Sequence, residues 1–118
     1  MRASAPFVEV SSPVSRVDAN AQAASTDAVE VIFREAADLF ASLSNPIRLK
    51  IVCQLTQQAQ TVQSLVALVQ SSQPNVSAHL RQLRLAGIVS SQRAGHQVVY
   101  AMQHRLVAEL CHTVCTAA

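Results

Sequence analysis

The sequence predicts a mainly α domain of order αααα-ββ-α, in which a helix-turn-helix is followed by a single hairpin, the wing. Three observations predict it. Apolar residues recur at helical spacing from about residue 27 to Leu85 and again from Arg105 to Cys115. Half of the 118 residues are apolar, yet there are only three Phe and one Tyr, so the core is aliphatic, as helical cores commonly are. Gly87 and Gly95 are the two glycines, too few for a long series of tight β-turns. A chain of this length suits one compact domain.

Residues 1–26 are rich in Ser, Ala and Val, contain Pro6 and Pro13 and show no steady period. They read as a mobile tail, leaving 27–118 as the domain. Thr26 or Asp27 caps the first helix; with Asp27 as N-cap, Glu30 falls at N3, and both acids suit the positive end of the dipole. Ile32, Ala36, Leu39, Phe40 and Leu43 form its stripe. Ser44-Asn45-Pro46 ends that helix and starts a second, with Asn45 as N-cap and Pro46 at the first helical position. The second helix runs to about Thr56, with Ile47, Ile51 and Leu55 on one stripe and Leu49, Val52 and Cys53 beside it.

Gln57 to Gln60 form a short polar break, and Thr61 caps a brief third helix carrying Val62, Leu65, Val66, Leu68 and Val69. Ser71-Ser72-Gln73-Pro74 is a second turn and cap, followed by a fourth helix with Val76, Leu80, Leu83 and Leu85, closed by Gly87 at C′. The period then changes to that of strands: Ile88–Arg93 and Gln97–Met102 flank Ala94-Gly95, a hairpin turn. A last helix, roughly Arg105 to Cys115, presents Leu106, Val107, Leu110 and Val114.

Charge is unevenly distributed. Residues 1–38 hold three Arg against six acids, whereas residues 39–118 hold six bases against Glu109 alone. A polyanion is the partner such asymmetry suggests for the second part. No apolar run approaches the ~18 residues of a membrane span, and no apolar region follows Arg2 as a secretory signal requires. Three cysteines make no paired disulfide framework and fit a cytoplasmic chain with reduced thiols.

The third and fourth helices and their tight turn have the helix-turn-helix arrangement. The fourth buries Val76, Leu80 and Leu83, and its other faces offer Gln73, Asn75, Ser77, His79, Arg81, Gln82 and Arg84. Gln and Asn pair bidentately with adenine and Arg with guanine; short Ser77 and Ala78 let the helix sit deep in a groove, and no acid among them repels phosphate. Arg93 and His96 flank the hairpin tip, where a wing touches backbone or minor groove. The DNA-contact candidates are therefore Gln73, Asn75, Ser77, His79, Arg81, Arg84, Arg93 and His96, with double-stranded DNA as partner.

Leu43-Ser44-Asn45-Pro46-Ile47-Arg48-Leu49, then Gln73 to Arg84 with its Val76-Ser77-Ala78-His79-Leu80, then Ala86-Gly87-Ile88-Val89, resemble the ArsR/SmtB family of bacterial repressors over about residues 30–116. The resemblance implies a homodimer built through the first and last helices, and release of operator DNA when an inducer binds. It also implies two metal sites to look for. The one on the third helix needs Cys-x-Cys, where this chain has Thr61-Val62-Gln63-Ser64-Leu65. The one on the last helix needs acid or His pairs, where His104 is followed by Arg105 and Leu106 and the distal positions fall at or beyond Ala117. Neither family metal site is present, and no cofactor is expected.

The cysteines remain. Cys111 and Cys115 lie one turn apart, ~5–6 Å between Cβ atoms, too far for a relaxed disulfide. The pattern Arg48-Leu49-Lys50-Ile51-Val52-Cys53-x-Leu55 with Val114-Cys115-Thr116 resembles the dithiol sulfide- and persulfide-sensing branch of the family, the BigR/SqrR type. That resemblance makes Cys53 and Cys115 the redox pair, with a reactive sulfur species or oxidant as inducer. Cys111 departs from the two-cysteine pattern. Inert packing beside Val107 and Val114 is one reading of it; a three-thiol site of Cys53, Cys111 and Cys115 for a soft ion such as As(III) is the alternative. A thiol-disulfide enzyme is disfavoured by the absence of Cys-x-x-Cys and of a βαβ pattern, and no catalytic residue is expected.

Overall fold

Local side-chain chemistry sets most helix starts in the computed structural model, which describes residues 26–117. The tail expected over residues 1–26 lies outside the described residues apart from Thr26, which opens α1 (Thr26–Leu43). Asp27, weighed as an N-cap, sits inside the first turn instead, still near the positive end of the dipole. A boundary between two compact units falls within this helix, Met1–Asp38 on one side and Leu39–Ala118 on the other. In the first unit Val31, Ile32 and Phe33 are exposed. No helix among the described residues is long and apolar enough to cross a membrane.

In the second unit Asn45 caps α2 (Pro46–Gln57), its Oδ1 accepting from the backbone N–H groups of Ile47 (2.9 Å) and Arg48 (3.1 Å), with Pro46 opening the helix. Thr61 caps α3 (Val62–Val69) by accepting from Ser64 N–H at 3.1 Å. Ser72 caps α4 (Gln73–Leu85) by accepting from Asn75 N–H at 3.3 Å. Gly87, at φ +77°, ends α4 in a Schellman closure: Ile88 N–H donates to Leu83 C=O and Gly87 N–H to Arg84 C=O, both at 3.0 Å. Ile88 and Leu83, the apolar pair that accompanies this closure, are both fully buried.

The hairpin joins β2 (Val89–Ala94) to β3 (Gln97–Met102). Its register pairs Ala94 with Gln97, so the turn residues are Gly95 and His96, one position later than the Ala94-Gly95 expected. Gly95 has φ +67° and His96 is not in the left-handed region, as a type II′ turn requires. A two-residue strand, β1 (Gln60–Thr61), adds to the other edge of β3 through Gln60↔Tyr100 and Thr61↔Val99, giving sheet order β1-β3-β2. Gln60, the end of the expected polar break, is instead half of this strand.

Helix α5 (Arg105–Ala117) packs on α2. His104 precedes it, and its Nδ1 accepts from Val107 N–H at 3.4 Å, a local capping role. The core is aliphatic, as composition implied: Ile51, Val52 and Leu55 of α2, Leu65 and Val69 of α3, Val76, Leu80 and Leu83 of α4, and Val107 and Cys111 of α5. Leu85 departs from the expected stripe and is 72% exposed.

A Cβ at Gly87 would meet nothing within 4 Å, so the cost of replacing this glycine is purely conformational. Gly87→Ala should lower unfolding free energy in urea by ~1–2 kcal/mol, and Gly87→Asn, which tolerates positive φ, by less.

Candidate nucleic-acid interface and thiol cluster

The buried stripe of Val76, Leu80 and Leu83 fixes which side of α4 faces away from the core. On that outer side Gln73, Asn75, Ser77, Arg81, Gln82 and Arg84 are exposed. Asn75 is held locally, its Nδ2 donating to Ser71 Oγ at 2.8 Å. At the wing Arg93 and His96 are exposed. A recess of about 190 Å³, walled by Thr61, Gln63, Gln73, His96 and Gln97, brings the hairpin turn beside the N-terminus of α4. Two polar side chains, Gln73 on the helix and His96 on the wing, thus border one concavity.

His79 differs from its expected place among the exposed candidates. It is half-buried, and its Nδ1 lies 3.3 Å from Nη1 of Arg48. Arginine only donates, so Nδ1 is the acceptor and carries no proton. Burial, and then the Arg48 charge, hold the ring's pKa below its ordinary value. Arg48 also donates to Gln82 Oε1 (3.0 Å) and, from Nε, to the Ser42 carbonyl (2.6 Å), with a longer contact to Ala41 C=O (3.4 Å). One guanidinium therefore ties the last turn of α1 to the middle of α4. Sequence reasoning used Arg48 only as charge and motif. A cation in the first turn of a helix is unfavourable toward the dipole, and that misplacement was the available signal of a partner elsewhere.

The packing of α5 on α2 brings the thiols together. Cys53 Sγ and Cys115 Sγ are 3.1 Å apart, ~1 Å longer than an S–S bond. Cys53 is half-buried, Cys115 exposed and Cys111 buried, and all three are free thiols. Burial is the main reason the Cys53 thiol is pushed up to about 12; the hydrogen bond with Cys115 and the neighbouring Cys111 add to it. Burial likewise raises the Cys111 thiol, and its contact with Cys53 pulls it part of the way back. Among the described residues no three His, Cys, Asp or Glu side chains converge as a metal ion would need.

The sign of the Cys53 shift follows from which form burial disfavours. The folded chain holds the proton more tightly than the unfolded one, so the associated stability is complete below about pH 9 and is lost as pH rises toward about 12. Iodoacetamide labelling of Cys53 in the folded protein should accordingly keep accelerating above pH 9, where an ordinary thiol levels off, as peptide mapping would show.

Residues 45–91 match the model of the bacterial regulatory protein arsR family. The HTH-type transcriptional repressor SmtB of Mycobacterium tuberculosis is 35% identical over 79 residues, which are 67% of this chain and 58% of that protein, so the chain spans under two thirds of that relative's length. The crystal structure of the transcriptional repressor BigR from Xylella fastidiosa superposes with a TM-score of 0.70 at 31% identity, covering 80% of this chain and 96% of the other. The homodimeric winged helix-turn-helix DNA-binding domain Mb0332 of Mycobacterium bovis, a possible ArsR-family regulator, has a TM-score of 0.70 at 25% identity, covering 80% and 88%. With its winged helix-turn-helix architecture and these matches, the chain belongs to the arsR family of bacterial regulatory proteins.

Proposed function

We propose that the protein is a DNA-binding transcriptional repressor, acting as a homodimer in the cytoplasm, whose operator affinity is switched by the Cys53–Cys115 pair. The single observation that carries the switch is the 3.1 Å approach of two thiols from α2 and α5. DNA binding is supported by an α4 face bearing Arg81 and Arg84 with no acid between Leu39 and Ala108, and by a wing bearing Arg93 beside it. Dimerisation is supported by apolar side chains left exposed on α1 and α5, among them Phe40 (60%), Leu106 (63%) and Val114 (55%). The Mb0332 domain is homodimeric, and the same arrangement is proposed here.

The chemistry assigns an order to the thiols. Burial pushes the Cys53 thiol up to about 12, so its thiolate is scarce at neutral pH, and exposed Cys115 is assigned as the first to react. Cys115 takes the sulfane sulfur of a persulfide RSSH and releases RSH, becoming a persulfide itself. Cys53 then attacks the inner sulfur, forming the Cys53–Cys115 disulfide and expelling H₂S, the two protein thiols being oxidised and the sulfane sulfur reduced. The bond ties α2, which braces α4 through Arg48, to α5, which carries part of the proposed dimer face. A small shift between them alters the spacing of the paired α4 helices. Couplings of this kind are typically ~1–3 kcal/mol, enough to empty a modestly saturated operator. The pair is preferred to the three-thiol metalloid site because two sulfurs approach to 3.1 Å and no metal-holding trio forms among the described residues.

Fluorescence anisotropy with a duplex selected from a random pool tests the DNA face. Arg81→Ala should weaken binding by ~1–3 kcal/mol, whereas Arg93→Ala should weaken it uniformly across sequences and reduce the salt slope by about one ion. An unchanged affinity for Arg81→Ala would mean that another face meets DNA.

The switch is tested in the same assay. Cys53→Ser and Cys115→Ser should each bind DNA normally yet ignore glutathione persulfide. A full response from either variant would remove the pair from the mechanism.

A further inference from the structure

Cys111 has no part in the two-thiol switch, yet it is placed where it can act on it. It is 2% exposed on α5, one turn before Cys115. It shares with Cys53 the wall of an apolar cavity of about 270 Å³ that Cys115 does not line. All three cysteines border a second recess of about 380 Å³, together with His112 and Thr116. Cys53 thus meets the exposed thiol at 3.1 Å and shares the walls of both recesses with the buried one.

We propose that Cys111 is a resolving thiol, and that a bond first made between Cys53 and Cys115 passes inward to become Cys53–Cys111. This rests on the switch proposed above and adds a second step to it. Cys111 Sγ attacks Cys53 Sγ of the Cys53–Cys115 disulfide; the bond to Cys115 breaks, the new bond forms, and the Cys115 thiolate takes up the proton that Cys111 gave to water. The step is an exchange with no net oxidation and needs no further reagent. Burial favours the product, because it turns a thiol held in an apolar wall into a disulfide sulfur and returns Cys115 to water as a free thiol. Burial also sets the pace. The Cys111 thiol is raised by desolvation, so its thiolate is scarce, and the transfer can begin only once the first bond exists and therefore follows it in time.

Two properties follow. The inner bond is shielded at one end, because Cys111 is closed to solvent and a reductant can reach only the half-buried Cys53 sulfur, whereas the first bond also offers exposed Cys115. The freed Cys115 is again available to a second sulfur donor.

The test is a time course on the full chain. Reduced protein receives one equivalent of glutathione persulfide, is quenched in acid between seconds and hours, and is alkylated with maleimide in denaturant. Trypsin places Cys53 on the peptide 51–81 and both other cysteines on 106–118, so fragmentation of the cross-linked pair shows which of Cys111 and Cys115 carries the maleimide. The expected result is maleimide on Cys111 early and on Cys115 late, with the late species at least tenfold more resistant to glutathione. Cys111→Ala, checked for folding by its thermal melt, should retain the early bond at all times. A wild-type bond that stays Cys53–Cys115 for hours, with Cys111 always alkylated, overturns the transfer and leaves the switch intact. If no bond to Cys53 forms at any time, the switch itself fails and the transfer with it.

Discussion

Helix α2 is held by the burial of Ile51, Val52 and Leu55, and the functional parts of the domain take their positions from it. Side chains of this kind each contribute ~1.5–3 kcal/mol on burial, enough to fix the roll of a three-turn helix in its socket. With the roll fixed, Arg48 emerges toward α4 and Cys53 toward α5. The two are five residues apart, ~7.5 Å along a rigid rod. A displacement that α5 imposes at Cys53 is therefore delivered to the guanidinium that braces the proposed DNA-reading helix. The helix thus joins the thiols to α4 through a segment whose Ile51, Val52 and Leu55 are buried in the core.

Charge has to be read with the same attention to partners. Six bases stand in the acid-free stretch between Leu39 and Ala108, but they are not equivalent. Arg48 is half-buried and spends its donors on two carbonyls of α1, on His79 and on Gln82. Arg81, Arg84 and Arg93 are exposed. Lys50 on α2 and Arg105 on α5 are exposed as well; the proposed DNA face draws on Arg81, Arg84 and Arg93, and Arg48 acts by geometry. Its pairing with His79 also requires a neutral ring. As pH falls below the ordinary histidine range the folded state resists protonation, and the stability tied to the neutral ring declines.

Much of the fold was legible because the signals are local. Asn45-Pro46, Thr61, Ser72 and Gly87 each mark a helix end through hydrogen bonds to residues two to five positions away. What escaped is non-local. Gln60 and Thr61 are too short a run to read as a strand and become one by pairing with Tyr100 and Val99. Gly95 marked the turn but not its type, and whether glycine is the first or second central residue decides where the strands stop. Periodicity put His79 outside, whereas its partner 31 residues earlier draws it in. The contact of Cys53 with Cys115 was reached through a family resemblance, since helical spacing says which cysteines cannot pair along one helix and is silent about those on two.

The separation of that pair has a thermodynamic consequence. Cys53 and Cys115 are 62 residues apart, so a bond between them closes most of the described chain into one loop. In the chain-entropy picture a loop of that size costs the unfolded ensemble ~4 kcal/mol of freedom, on the same scale as the whole stability of many small domains. The oxidised form is then the sturdier of the two, provided the bond forms without strain. In the proposed switch the oxidised form would therefore unfold less often than the free reduced form and be a poorer substrate for proteases, so that the protein would persist until its thiols are restored.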